Sequence, residues 1–164
     1  MKIRKAIEGD LGRIMELGQE FGHLMYYQKD EALMRAYLDD IIVAEDGKDI
    51  VGYYHYLPIK NLDNFVLLEC YKQFPRWLLE ESWVKLDRLC VCMQGASHRE
   101  VFQEFIKWLQ ERYPEIWCWC SVKSNRTGTY ETLGFNFNPA EVRSFFNVHK
   151  GGISTYRLGR WLKP

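Results

Sequence analysis

The stretch that most constrains the fold runs from residue 83 to 122. "WVKLDRLCVCM" alternates and carries β-branched residues, which suits a strand. "SHREVFQEFIKWLQERYP" follows, with Val101, Phe102, Phe105, Ile106 and Leu109 at i, i+4 spacing. That pattern predicts an amphipathic helix closed by Pro114. "EIWCWCSV" then predicts a second strand. A strand, a helix and a strand in this order form a crossover, which is right-handed within one sheet. The two strands are therefore expected to lie parallel, and the fold class is α/β.

The rest of the chain adds elements on both sides of this unit. "KIRKAI" reads as a first strand. Asp10 is the expected N-cap of a helix carrying Leu11, Ile14, Met15 and Leu17. A second helical stretch, "KDEALMRAYLDDII", places Leu33, Met34, Tyr37 and Leu38 at helical spacing. Asp46-Gly47 between two apolar runs predicts a hairpin. Residues 58 to 82 read equally as strand or helix, with Pro75 interrupting them. "RTGTYETL" is a short helix stopping at Gly134, because glycine tolerates the left-handed conformation of a helix stop. "FNF" opens the next strand, and "GGISTYRLGRWL" is the last. With no repeat and no linker, residues 1–164 are expected to form one domain around a mixed sheet, flanked by about four helices.

Charge and composition narrow the function. Formal net charge is zero, which weakens any reading that needs a basic field for phosphate, although a local basic patch stays open. Nucleic acid is not the expected partner, and neither is a membrane. No apolar run approaches the roughly 20 residues that span a bilayer. "MKIRKAIEGD" lacks a signal-peptide core, so a cytoplasmic protein is expected. Five cysteines then imply reduced thiols. Cys90-x-Cys92 and Cys118-x-Cys120 would each point to one face of a sheet at strand spacing. Neighbouring strands could bring four thiols together around zinc. Small apolar packing residues are the preferred reading, because structural zinc sites usually place Cys-x2-4-Cys on turns. No metal is expected.

Three stretches carry a family resemblance: "IRKAIEGDLGRIMEL", "DIVGYYHYLP" and "YETLGFNF". They resemble the first strand and helix, the third strand, and the late helix-to-strand motif of the GCN5-related N-acetyltransferase superfamily. The element order matches from end to end. The resemblance implies a mostly antiparallel sheet whose central parallel pair splays apart near Met93 to admit acyl-CoA. Acetyl-CoA would be the co-substrate and an amine the acceptor. The diphosphate would sit on backbone N–H groups at the N-terminus of the long helix, where unsatisfied donors and the dipole favour an anion.

The family's loop there reads Gln/Arg-x-x-Gly-x-Gly/Ala, and this chain departs from it with "QGASHRE". Gln94 fits the first position. Ser97 and Arg99 occupy the small-residue positions, and Gly95 and Ala96 come earlier. A shifted loop on Gly95 and Ala96, with Ser97 as N-cap, would still offer N–H groups, and His98 or Arg99 could add charge-assisted contacts. A degenerate loop that binds CoA weakly or not at all is the alternative.

The resemblance also implies roles for single residues. Tyr130 would protonate the departing CoA thiolate as a general acid, which a phenol with an ordinary pKa near ~10 can do at neutral pH. The alternative is a tyrosine that packs its helix against the sheet. Asn125 matches a family asparagine only at a shortened interval, and a turn residue is the simpler reading. Asp87 and Glu69 are candidate bases, with His55 behind them. Asp87 also reads as a salt-bridged strand residue, and His55 as part of a half-buried strand. Deprotonation through water would remove the need for any base. Backbone N–H groups at Cys90, Val91 and Cys92 are candidate oxyanion donors. An acyl-cysteine route would need a thiolate beside a base, and no histidine stands at a readable spacing.

Two function classes follow. The first is an acyl-CoA-dependent N-acyltransferase working by direct attack. The second is a non-catalytic or unusual-donor protein of the same fold, such as a phage-like degenerate member that binds partners or modifies a nucleobase. The aromatic stretches around Trp77 and Trp161 leave room for a homodimer.

Overall fold

A computed structural model describes residues 1–21, 30–58, 84–92, 98–122, 127–147 and 152–164. Seven strands and four helices occur among these residues: β1 Lys2–Lys5, α1 Leu11–Phe21, α2 Glu31–Ala36, β2 Ile41–Asp46, β3 Asp49–Pro58, β4 Val84–Cys92, α3 His98–Arg112, β5 Glu115–Ser121, α4 Thr127–Glu131, β6 Asn136–Asn147 and β7 Gly152–Leu162. The chain divides into two compact units. One comprises Met1–Tyr56 with Asp87–Trp108, the other Leu57–Leu86 with Leu109–Pro164.

In the first unit the strand order is β1-β2-β3-β4, with β1 and β3 both antiparallel to β2. The hairpin is present as the sequence predicts. Asp46 pairs with Asp49, so Gly47 and Lys48 form a two-residue loop. Gly47 has φ 64°, which the first central position of a type II′ turn demands. The pairing shifts register between Ala44 and Glu45. Ile41, Ile42, Val43 and Ala44 are all fully buried, as are Ile14 and Leu17 of α1. On β3, Tyr54 packs its ring against Phe102 and Phe105 of α3, at centroid distances of 6.0 and 5.7 Å. Each such buried side chain contributes about 1.5–3 kcal/mol relative to exposure.

Two expectations are corrected here. Asp10 is not an N-cap. A 3-10 turn over Glu8–Asp10 precedes α1, and Asp10 stands at its end, reaching back to accept the Ile7 N–H at 2.8 Å. Its other contacts explain why it is buried. The Arg4 guanidinium grips it with Nη1 at 2.5 Å and Nη2 at 2.9 Å, while Arg4 Nε donates to Glu45 at 2.6 Å. That fork holds the Asp10 carboxyl below its ordinary range and drives the Arg4 pKa up. The second helix is also shorter than its spacing predicts. It ends at Ala36, a 3-10 turn follows at Leu38–Asp40, and Ile41 already belongs to β2. A continuous apolar run fits a strand buried on both faces as well as a helix, and sheet pairing wins.

In the second unit the order is β4-β5-β7-β6. The crossover pair is parallel, with Val84, Lys85 and Leu86 opposite Ile116, Trp117 and Cys118. β7 runs antiparallel to both β5 and β6. At the start of β5, the buried Glu115 accepts from Trp117 Nε1 at 2.9 Å and from Arg160 Nε. The Arg160 guanidinium lies 5.1 Å from the Trp117 ring centroid, a cation–π contact. Gly159 of β7 faces a crowded spot: a Cβ there would come within 2.5 Å of Phe137 Cζ and 2.8 Å of Cys118 Sγ. Among the described residues, no helix is long and apolar enough to cross a membrane.

Candidate active site

The motif "YETLGFNF" folds into a defined helix stop. Gly134 has φ 85°, in the left-handed region. Its N–H donates to the Glu131 carbonyl at 3.0 Å, and the Phe135 N–H donates to the Tyr130 carbonyl at 3.1 Å. This nested pair of bonds is the Schellman arrangement, in which a residue near the helix end meets the residue after the glycine. Here those two residues are Tyr130 and Phe135, whose rings meet edge-on at 5.5 Å. Phe137 adds a second edge contact at 6.2 Å. The half-buried Tyr130 side chain is thus held from two sides, while Phe135 is buried outright.

This geometry accounts for each letter of the motif. The glycine supplies the backbone angle, the first phenylalanine fills the core, and the tyrosine both caps and packs. The spacing between Tyr130 and Phe135 across a glycine is the sequence signal for this cap.

One further residue joins the site from outside the motif. Gln110, at the end of α3, donates its side-chain N–H to the Leu133 carbonyl at 2.8 Å. Nothing in the sequence around Gln110 marks it for this contact.

The other predicted residues are placed less fully. Asp87, Cys90, Val91 and Cys92 lie on β4, the strand expected for them; their side chains are outside the described residues. Gln94, Gly95, Ala96, Ser97 and Asn125 also lie outside the described residues, as do Glu69, Trp77 and the strand divergence expected near Met93. The long helix begins at His98, immediately after the expected cap position. Arg99 and Glu100 are exposed on its first turn. The first N–H groups of a helix lack an intrahelical carbonyl, which is the general reason helix starts attract anions. His55 is fully buried on β3, with its ring stacked 5.4 Å from Tyr37. That supports its reading as a strand residue.

Cys118 and Cys120 are buried thiols on β5, outside any disulfide. Burial, reinforced by Cys120 beside it, pushes the Cys118 thiol well above its ordinary pKa. A neutral thiol is a poor nucleophile; the cysteines nearest the expected loop, Cys90 and Cys92, have side chains outside the described residues. Among the described residues, no group of three or more histidine, cysteine, aspartate or glutamate side chains could hold a metal.

No family model matches the sequence, and no curated protein matches it. Solved structures match it over its length. A ribosomal-protein-alanine N-acetyltransferase from Brucella melitensis is 16% identical, with a TM-score of 0.66 over 99% of each chain. A GNAT-family acetyltransferase from Bacillus cereus is 10% identical, with a TM-score of 0.64 over 99% of this chain and 97% of its own. A spermidine N-acetyltransferase from Vibrio cholerae, solved in complex with CoA and spermine, is 16% identical, with a TM-score of 0.60 over 99% and 95%. The protein therefore has the GCN5-related N-acetyltransferase fold, as the resemblance read from its sequence implied.

Proposed function

We propose that the protein is an acyl-CoA-dependent N-acyltransferase, with acetyl-CoA as donor and an amine as acceptor. The observation that carries this reading is the end-to-end correspondence with N-acetyltransferase structures, joined to a fully formed helix stop that presents Tyr130. The backbone at the start of α3, with Gln94, Gly95, Ala96, Ser97, His98 and Arg99, would take the CoA diphosphate. Asn125 is a further candidate for contact with CoA.

The chemistry needs few groups. Holding amine and thioester together removes much of the entropic cost of their encounter. The amine nitrogen attacks the thioester carbonyl carbon, and its electron pair forms the new C–N bond. The carbonyl oxygen becomes an oxyanion, which backbone N–H groups at Cys90, Val91 or Cys92 stabilise. As the carbonyl re-forms, the C–S bond breaks and the pair leaves on sulfur. Tyr130 gives its phenol proton to that thiolate. Asp87, or water in its place, takes the proton the amine loses. Tyr130 regains a proton from solvent.

A second reading has a specific observation behind it. The helix stop and the two ring contacts explain Tyr130 without any catalysis, so a protein of this fold could keep the motif for packing alone. Thermal melting with acetyl-CoA separates the two. Saturation to about 100 times Kd should stabilise by ~2.7 kcal/mol. Tyr130→Phe should then keep the shift and lower kcat by about 100-fold. No shift at millimolar acetyl-CoA, or an unchanged kcat in Tyr130→Phe, would select the packing reading.

A further inference from the structure

Tyr130 stands on a helix of five residues, Thr127–Glu131. A helix this short does not sustain itself in water, so its direction must be imposed by its surroundings. The Schellman bonds fix the turn internally, but they do not anchor it to anything else. Gln110 does. Its side-chain amide comes from a different helix, is half-buried, and donates to the Leu133 carbonyl at 2.8 Å. Leu133 is the residue at which the helical turn ends, and its N–H in turn donates to the Tyr130 carbonyl at 2.9 Å. A carbonyl at a helix C-terminus lacks an intrahelical donor. Gln110 supplies one, and so ties the last turn, one hydrogen bond from Tyr130, to the end of α3.

We infer that Gln110 is a positioning residue, which sets the direction of the Tyr130 hydroxyl through the Leu133 carbonyl. This inference rests on the reading of Tyr130 as the proton donor. The bond can be made only by the amide nitrogen, because the acceptor is a carbonyl. A glutamate of the same shape would set oxygen against oxygen. A methionine of similar length fills the space and donates nothing.

The test is a double-mutant cycle on kcat. The probes are acetyl-CoA with spermidine and with a peptide bearing an N-terminal alanine. Gln110→Met should lower kcat about fivefold, equivalent to about 1 kcal/mol at ~1.36 kcal/mol per decade, with KM for acetyl-CoA unchanged. In the Tyr130→Phe background, the same substitution should lower kcat no further. Gln110→Lys, which restores a donor, should recover part of the loss. If Gln110→Met does not fold, Gln110→Glu takes its place in the cycle. An unchanged kcat in Gln110→Met, or an equal loss in both backgrounds, overturns the positioning role while leaving Tyr130 in the chemistry. An unchanged kcat in Tyr130→Phe, or no turnover of either acceptor by the unaltered protein, overturns the parent reading and this inference with it.

Discussion

Two helix ends in this protein are fixed by opposite means. The entry into α1 is fixed by charge: Arg4 forks onto Asp10 and also reaches Glu45, and Asp10 reaches back to Ile7. The exit from α4 is fixed without charge, by a glycine in the left-handed region, two nested backbone bonds and three aromatic rings. The first device depends on protonation and salt. The second depends on shape and on neutral hydrogen bonds, that of Gln110 included. In its proposed role as proton donor, Tyr130 stands on the second, whose described contacts include no charged group to titrate with it.

The contrast can be broken most severely at Phe135. Phe135→Ala removes a buried ring from the neutral end and should cost about 3–5 kcal/mol in chemical denaturation, with little change across pH. Arg4→Met should cost about 2–3 kcal/mol at neutral pH, because it strands a buried carboxylate. Here pH sharpens the comparison. Arg4 lowers the folded-state pKa of Asp10, so the pair's stabilisation is present above the unfolded value of about 3.9 and is lost as pH falls through the folded value. The gap between Arg4→Met and the unaltered protein should therefore close in acid. A gap that persists there would mean that Arg4 acts through packing. The smallest effect is expected from Gly134→Ala, about 1–2 kcal/mol. Its φ of 85° strains any side chain, and the added Cβ would stand 3.3 Å from Trp161 Cδ1. This loss should not vary with pH.

Much of the fold was legible because two different periodicities met at clear punctuation. The alternation before Met93, the apolar stripe from Val101 to Leu109 and Pro114 together specified a parallel crossover, and the Asp46-Gly47 pair specified a hairpin. Legibility failed where one pattern served two structures. Ile41 and Ile42 fit both the end of the helical stretch and the first run of the hairpin, and only pairing with β1 and β3 decides for the strand. Asp10 looked like a local cap because its arginine partner, six residues away, leaves no local trace. The candidate site divides in the same way. Tyr130 announced itself through its neighbours in sequence. Gln110 could not, since its bond spans 23 residues and a glutamine on a polar helix face carries no pattern.

The crowding at Gly159 has a consequence for how this protein can vary. Positions 118, 137 and 159 share one fixed volume, so enlarging any of them requires shrinking another. Phe137 is the member that also touches Tyr130. A methyl group introduced at 159, on a different strand, would therefore be felt as a tilt of the tyrosine ring, unless Phe137 were trimmed in the same step.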